Sequence, residues 1–268
     1  MDTTNVDAVR KEVRDHYGRL SREGAGCCGG GACCAASPDA SRSLGYSAEQ
    51  LAEAPDGSNL GLGCGNPQAM AKLVPGERVL DLGSGGGFDC FLAARQVGPT
   101  GYVIGVDMTP DMIERARTNA RKVAHRNVEF RLGEIEHLPV ADAEVDVIIS
   151  NCVVNLSPEK GAVFREAFRV LRPGGRLAIS DVVALAPLTE REKADVTLYT
   201  GCVAGAAPID ELKAMLADAG FERIEVDIPA LGRATVAEWF HGNPTAAKVA
   251  SASIEARRPG GTDERGRG

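Results

Sequence analysis

Arg78-Val79-Leu80-Asp81-Leu82-Gly83-Ser84-Gly85-Gly86-Gly87-Phe88 decides the fold. Its first five residues are a short, mostly apolar run of the kind that fills a buried strand. Five small residues, four of them glycine, then turn the chain, and a helix starts at Phe88. Glycines at a strand-to-helix turn let the backbone approach a ligand, and open α/β sheets bind ligands at that carboxyl edge. Alone the motif is weak, because nicotinamide enzymes have similar loops.

From Pro75 onward, strands and helices alternate. Tyr102 to Val106 reads as a second strand closed by Asp107. A helix follows from Pro110 to about Ala124, with proline where its missing N–H costs nothing. Val128 to Leu132, Val145 to Ser150 and Arg176 to Val182 read as three further strands. A helix from Pro158 to Leu171 separates the last two and stops at Arg172-Pro173-Gly174-Gly175. Ile209 to Ala219 is helical, with Gly220 as its cap. Phe221 to Ile228 and Val249 to Ala256 are candidate final strands of an antiparallel edge. Such alternation implies right-handed crossovers. The predicted class is α/β: a Rossmann-like, doubly wound, mostly parallel sheet of about seven strands, with an N-terminal helical and cysteine-rich segment.

Three regions follow. Residues 1–74 hold an N-terminal helix and a Cys/Gly-rich lid segment expected to be mobile; residues 75–258 hold the sheet domain; residues 259–268 are a Gly- and charge-rich tail expected to be disordered. Val6, Val9, Val13, Tyr17 and Leu20 recur at helical spacing, ending at Gly24 or Gly26. That helix either docks on the core or covers a site. Residues 24–36 are Gly, Ala and Cys almost throughout and have little to pack. Gly61-Leu62-Gly63-Cys64-Gly65-Asn66-Pro67 cannot be a helix interior and reads as backbone held close to something else.

The 268-residue chain is 44% hydrophobic and 25% charged, the balance of a globular domain. A formal charge of −7 repels phosphate backbones, so no nucleic-acid partner is expected. The sequence has no apolar run long enough to span a membrane and no signal-peptide start. A cytoplasmic protein with a small substrate is the expectation. Four of the eight cysteines, Cys27, Cys28, Cys33 and Cys34, crowd into one segment. In a reducing compartment, clustered thiols point to metal, metalloid or redox chemistry. Adjacent pairs suit a zinc tetrathiolate less well than spaced Cys-x-x-Cys hooks. Cys90 reads as a buried hydrophobe, and His125 and His137 as solvated or structural.

Two carboxylates narrow the loop's ligand. Asp81 lies two positions before Gly83, where it would repel a pyrophosphate but accept the cationic amino-acid end of S-adenosylmethionine. Asp107 follows the second strand, where a carboxylate can accept both ribose hydroxyls. Val79 to Gly85, Gly105-Val106-Asp107-Met108 and Gly133-Glu134-Ile135-Glu136-His137-Leu138-Pro139 resemble the successive cofactor motifs of class I methyltransferases. Leu171 to Gly175 resembles that family's post-helix turn. The resemblance implies S-adenosylmethionine as cofactor. Gly83 and Gly85, with Ser84 between them and Asp81 beside them, then pass beneath the methionyl part. Asp107, next to Met108, holds the ribose. Ile135 and Glu136 lie beside the adenine, with Glu134 a competing candidate, and Asn151 completes the set.

The acceptor must be argued separately, since fold does not give substrate. The fourth strand ends at Asn151-Cys152-Val153-Val154-Asn155, facing the methyl donor. Methylases of base amino groups tend to carry an acid or amide followed by two prolines there; Cys152 and Val153 replace them. Cys202, in Thr200-Gly201-Cys202-Val203-Ala204-Gly205, can fold back over the same opening, and Cys64 can close a third side. Three converging thiols suit a soft, trigonal centre, and trivalent arsenic is one by the logic that pairs soft ligands with soft metals. Asp15-His16-Tyr17-Gly18, the cysteine pairs, Gly61 to Pro67, Ile149 to Leu156 and Leu198 to Gly205 resemble bacterial arsenite methyltransferases, over nearly all the chain to about residue 228.

The resemblance implies that Cys64, Cys152 and Cys202 hold As(III), from arsenite or its thiol conjugate, as a pyramidal thiolate complex. The arsenic lone pair attacks the methyl in line. It further implies a dithiol relay between Cys64 and Cys34 or Cys33, recharged by a thiol reductant of thioredoxin or glutathione type. Two rival readings exist. A C- or O-methyltransferase of a quinone-like metabolite would leave the cysteines unexplained, and 4% aromatics mildly disfavours it. A non-catalytic metalloid-binding protein would leave the cofactor motifs unexplained.

Overall fold

A computed structural model describes residues 5–23, 38–123, 126–240 and 242–260. Cys27, Cys28, Cys33, Cys34 and His125, and the tail from residue 261, lie outside the described residues. Helix α1 (Val6–Glu23) opens the chain, followed by three short helices, α2 (Pro38–Ser43), α3 (Ala48–Glu53) and α4 (Pro67–Ala71). The alternating unit then runs β1 (Arg78–Leu82), α5 (Phe88–Val97), β2 (Tyr102–Asp107), α6 (Pro110–Ala120), β3 (Val128–Leu132) and β4 (Val145–Asn151). A 3₁₀ turn (Val154–Leu156) leads to α7 (Lys160–Val170) and β5 (Leu171–Ala184). After α8 (Glu190–Lys193), α9 (Val196–Thr200) and the two-residue β6 (Ala207–Pro208) come α10 (Ile209–Asp218) and β7 (Glu222–Asp227). Helix α11 (Gly232–Trp239), a second 3₁₀ turn (Pro244–Lys248) and β8 (Val249–Arg257) complete it.

The strands form one sheet in the order β3-β2-β1-β4-β5-β8-β7, with β6 beside β5. All pairings are parallel except those of β8, which runs antiparallel between β5 and β7. This is the expected mostly parallel sheet with its antiparallel edge. Alternate residues of the central strands feed two cores. Leu80, Leu82 and Ile148 pack against Phe164 of α7 on one face, and Val79, Val147 and Ile149 against Phe91 of α5 on the other. The register sets Leu82 opposite Val106 and Ser150, and Asn151 opposite Ser180, so the carboxyl ends of β1, β2, β4 and β5 share one edge.

Three local features differ from the sequence reading. Leu171 already pairs with Val145, and the ladder resumes at Arg176 opposite Val147. Arg172 to Gly174 is thus an exposed bulge inside β5, closed by buried Gly175, rather than a turn before it. The region between α1 and β1 is more helical than expected: Ser47 and Gln50 form a capping box on α3, and Asn66 caps α4 ahead of Pro67. Helix α11 was not expected and packs on β8, where Gly232 lies so close that a methyl group would meet the Ser251 carbonyl.

Candidate active site

All the residues expected to hold the cofactor line one cleft at this carboxyl edge. Asp81, Gly83, Ser84 and Gly85 supply its floor from β1 and the glycine loop. Asp107 and Met108 follow β2, Ile135 and Glu136 follow β3, and Asn151 ends β4. Its empty volume, counting the open mouth, is about 1110 Å³. Gly83 and Gly85 have φ of +69° and +51°, the left-handed region that favours glycine. A methyl on Gly83 would strike the Val153 side chain, whereas one on Gly85 would meet nothing within 4 Å. The Gly83 and Ser84 amides donate to the Val106 carbonyl at 2.8 and 3.0 Å, which fixes the loop to β2.

Asp107 organises this loop. Its carboxylate accepts the Gly85 amide at 2.9 Å and the Thr109 amide at 2.8 Å. Burial raises its pKa, and these amides oppose the rise. Burial also drives the Asp81 carboxyl well above the carboxylate range, reinforced by nearby Asp89, while the Cys90 thiol donates to it at 3.2 Å. The cationic end of S-adenosylmethionine would restore its charge. Among the described residues, the buried hydroxyls of Ser58 and Ser84 both line the cleft and have no protein partner. Orphan hydroxyls, a buried acid and an open glycine loop fit that cofactor.

Glu136 is buried, accepts from the Ser157 hydroxyl at 2.7 Å, and pairs with Arg10 at 3.3 Å. Glu134 pairs with Arg10 at 3.6 Å and does not line the cleft, which favours Glu136 over its neighbour. Arg10 also reaches Glu159 at 2.8 Å, and the Tyr17 hydroxyl donates to the Thr200 carbonyl at 3.0 Å. Helix α1 therefore both docks, through buried Val9 and Val13, and walls the cleft, through Arg10, Val13 and Tyr17.

A smaller cleft adjoins the first. Tyr17, Gly61, Leu62, Gly63 and Cys152 border both; Cys202, Trp239 and Phe240 close the far side. Cys64 and Cys152 are joined as a disulfide with Cα atoms 5.8 Å apart. The sequence reading expected both as free thiolates. The Cys202 thiol is free, buried, and donates to the Cys152 carbonyl at 2.9 Å. Burial raises its pKa well above the thiol range, and the Asp181 charge adds to the rise. Cys152 and Cys202 are non-glycine residues with φ of 58° and 63°, strained geometry of a kind that clusters at functional sites. An oxygen of buried Asp181 and the sulfurs of Cys64 and Cys152 lie within 4.8 Å of one another. Burial lifts the Asp181 pKa to about 6 against the Val182 and Asn155 amides.

The glycines around Cys64 explain its loop. A methyl on Gly63 would overlap the Asn151 amide, and one on Gly65 would overlap the Ser180 hydroxyl. Tyr46, Asp89, Arg10, Asp181, Trp239 and Phe240 escaped sequence reading. They belong to no motif, and only their contacts give them meaning. Cys90 is the buried residue expected, set against Asp81.

A family described as a methyltransferase domain matches residues 73–220. The arsenite methyltransferase of Halobacterium salinarum is 53% identical over 96% of this chain and 68% of its own length. That of Aquipseudomonas alcaligenes is 40% identical over 74% of this chain and 58% of its own length. The structure of an arsenic(III) S-adenosylmethionine methyltransferase from Chlamydomonas reinhardtii superposes with a TM-score of 0.59 and 32% identity, covering 83% of this chain and 74% of that one. Fold and cleft together define an S-adenosylmethionine-dependent methyltransferase of class I. Within that class, the chain belongs to the arsenite methyltransferase family. Among the described residues, no helix is long and apolar enough to cross a membrane.

Proposed function

We propose that this protein transfers a methyl group to trivalent arsenic held by Cys64, Cys152 and Cys202. The observation that carries the reading is the position of Cys152, on the wall between the cofactor cleft and the smaller thiol-lined cleft. When bound, S-adenosylmethionine supplies an electrophilic methyl on a cationic sulfur. Asp81, Asp107 and Glu136 would hold its polar ends in the cleft that Asn151 and Cys152 border at the end of β4. Each thiol loses a proton and bonds to arsenic as a hydroxide departs as water. Positioning then supplies much of the rate, since the arsenic lone pair is the nucleophile and no protein base is needed. Trp239 and Phe240 shield the thiol side from water.

Methylation withdraws two electrons from arsenic, and two thiolates closing to a disulfide return them. Cys64 is common to both available partners: Cys152, its partner in the structure, and Cys34 or Cys33, expected from the sequence. A thioredoxin-type dithiol, or two glutathione-type thiols that leave as their own disulfide, reopens the bridge. Loss of Cys152 or Cys202 should abolish activity on arsenite. The test is transfer of labelled methyl to arsenite in the presence of thiol reductant, with methylated arsenicals separated by chromatography. Product that vanishes in Cys152→Ser and Cys202→Ser supports the reading. No product, despite cofactor binding, overturns it.

A further inference from the structure

Two asparagines flank Cys152, and each reaches a different outer thiol loop. Asn151 is the last residue of β4. Its Oδ1 accepts the Cys64 amide at 2.9 Å while its Nδ2 donates to the Gly65 carbonyl at 2.9 Å. A side-chain amide that matches one N–H and one C=O of neighbouring residues behaves like a strand partner. It fixes the height and the rotation of the Cys64 backbone together. Its orientation is set from behind, where Nδ2 also approaches the Tyr46 hydroxyl at 3.1 Å.

Asn155 repeats this on the other side. Buried in the 3₁₀ turn, its Nδ2 donates to Asp181 at 2.9 Å, to the Val182 carbonyl, and to the Cys202 carbonyl at 3.3 Å. The Asp181 carboxylate also accepts the Asn155 main-chain amide at 3.2 Å, so it settles which way the side-chain amide faces. A methyl on Gly205 would meet the Asn155 carbonyl, so the Cys202 loop lies directly on this residue. Cys152 and Cys202 both carry left-handed backbones that an outside contact must hold.

We propose that Asn151 and Asn155 are positioning residues for the thiol set: Asn151 places Cys64, and Asn155 places Cys202, each relative to the Cys152 between them. That these thiols serve arsenic rests on the function proposed above, but the placement itself can be read without arsenic. Each asparagine has its own readout. For Asn151 it is the equilibrium of the Cys64–Cys152 disulfide against reduced and oxidised glutathione, followed by mass spectrometry. For Asn155 it is the rate at which iodoacetamide alkylates Cys202 in the reduced chain.

Asn151→Ala loses the two neutral hydrogen bonds that hold the Cys64 loop, so its disulfide equilibrium should shift toward the dithiol by roughly tenfold. Its Cys202 alkylation rate should stay within about twofold of the parent. Asn155→Ala should reverse the pattern. Asn151→Asp keeps the acceptor for Cys64 and should fall between parent and alanine. If Asn155→Ala does not fold, Asn155→Ser leaves a hydroxyl donor for Asp181 but cannot reach Cys202, and it replaces it. Arsenite affinity, measured with saturating S-adenosylhomocysteine, should fall in both variants, and Asn155→Ala, whose side chain does not line the cofactor cleft, should keep its affinity for that nucleoside. Equal effects of both substitutions on both thiol readouts, or none on either, would overturn the assignment. A parent protein that binds no arsenite, with the selective thiol pattern intact, would sink the arsenic reading and leave the placement standing.

Discussion

Gly65→Ala is a steric test of how the Cys64 loop is held. Gly65 lies outside the left-handed region, so alanine brings no backbone strain of its own. The added methyl would overlap the Ser180 hydroxyl and lie 3.1 Å from the Ser180 Cβ. The Ser180 backbone and Cβ cannot yield, because the residue is paired with Asn151 on one side and Ser253 on the other. Its carbonyl also accepts the Cys152 amide at 2.7 Å. The loop must move instead, which breaks the Asn151 contacts and the 2.7 Å bond from the Ser251 hydroxyl to the Cys64 carbonyl. Overpacking of this kind costs about 1–3 kcal/mol, and each lost hydrogen bond adds about 1 kcal/mol. Urea denaturation of the reduced protein should therefore show a loss of about 4–6 kcal/mol. Ser180→Ala removes the overlapping oxygen and leaves only the close Cβ approach. Combined with Gly65→Ala, it should recover about half of the loss, a coupling of about 2–3 kcal/mol. A single variant within about 0.5 kcal/mol of the parent, or a double variant no better than the single, would refute the reasoning.

Three further outcomes are expected. Asp107→Asn exchanges a charged acceptor of two amides for a neutral group with one acceptor oxygen, so calorimetry should show S-adenosylmethionine binding weakened by about 10- to 100-fold. Retained affinity with a lower melting temperature would make Asp107 purely structural. Arg10→Ala frees buried Glu136 from its cation and should weaken cofactor binding as well as stability, because α1 walls the cleft; a thermal shift without a change in affinity would separate the two roles. The Cys202 thiol is held protonated at neutral pH by burial and by Asp181. Its alkylation in the reduced protein should therefore climb about tenfold per pH unit from 7 to 9, and Asp181→Asn should raise the rate at fixed pH. A plateau below pH 8 would contradict the raised thiol pKa.

The cofactor half of the site was legible because its residues are tied to chain order. A strand, a glycine turn and a helix bring Asp81 and Gly85 to one edge, and each later strand adds its terminal residue to that edge. Cys64, Cys152 and Cys202 were legible as residue types but not in their bonding. The Cys64–Cys152 pairing depends on how a Gly-rich loop lies over Asn151 and Ser180, and no spacing encodes that. Tyr46, Asp89 and Asp181 act through contacts with residues distant in sequence, so nothing near them in the chain announces a role. Helix α11 was missed because residues 229–248 carry no strong period. The two aromatics at its end close the thiol cleft all the same.

The bond from Ser251 to the Cys64 carbonyl joins residues 187 positions apart. Contacts of such sequence separation are costly in chain entropy and form late in folding. During synthesis, the stretch carrying Cys64 emerges long before β8 exists, and it meets solvent before Cys152 and Cys202 have been made. The three-sulfur arrangement is thus reserved for the completed chain. A molecule clipped before β8 would keep all three sulfurs in its sequence but lose the Ser251 contact that holds the Cys64 loop among them.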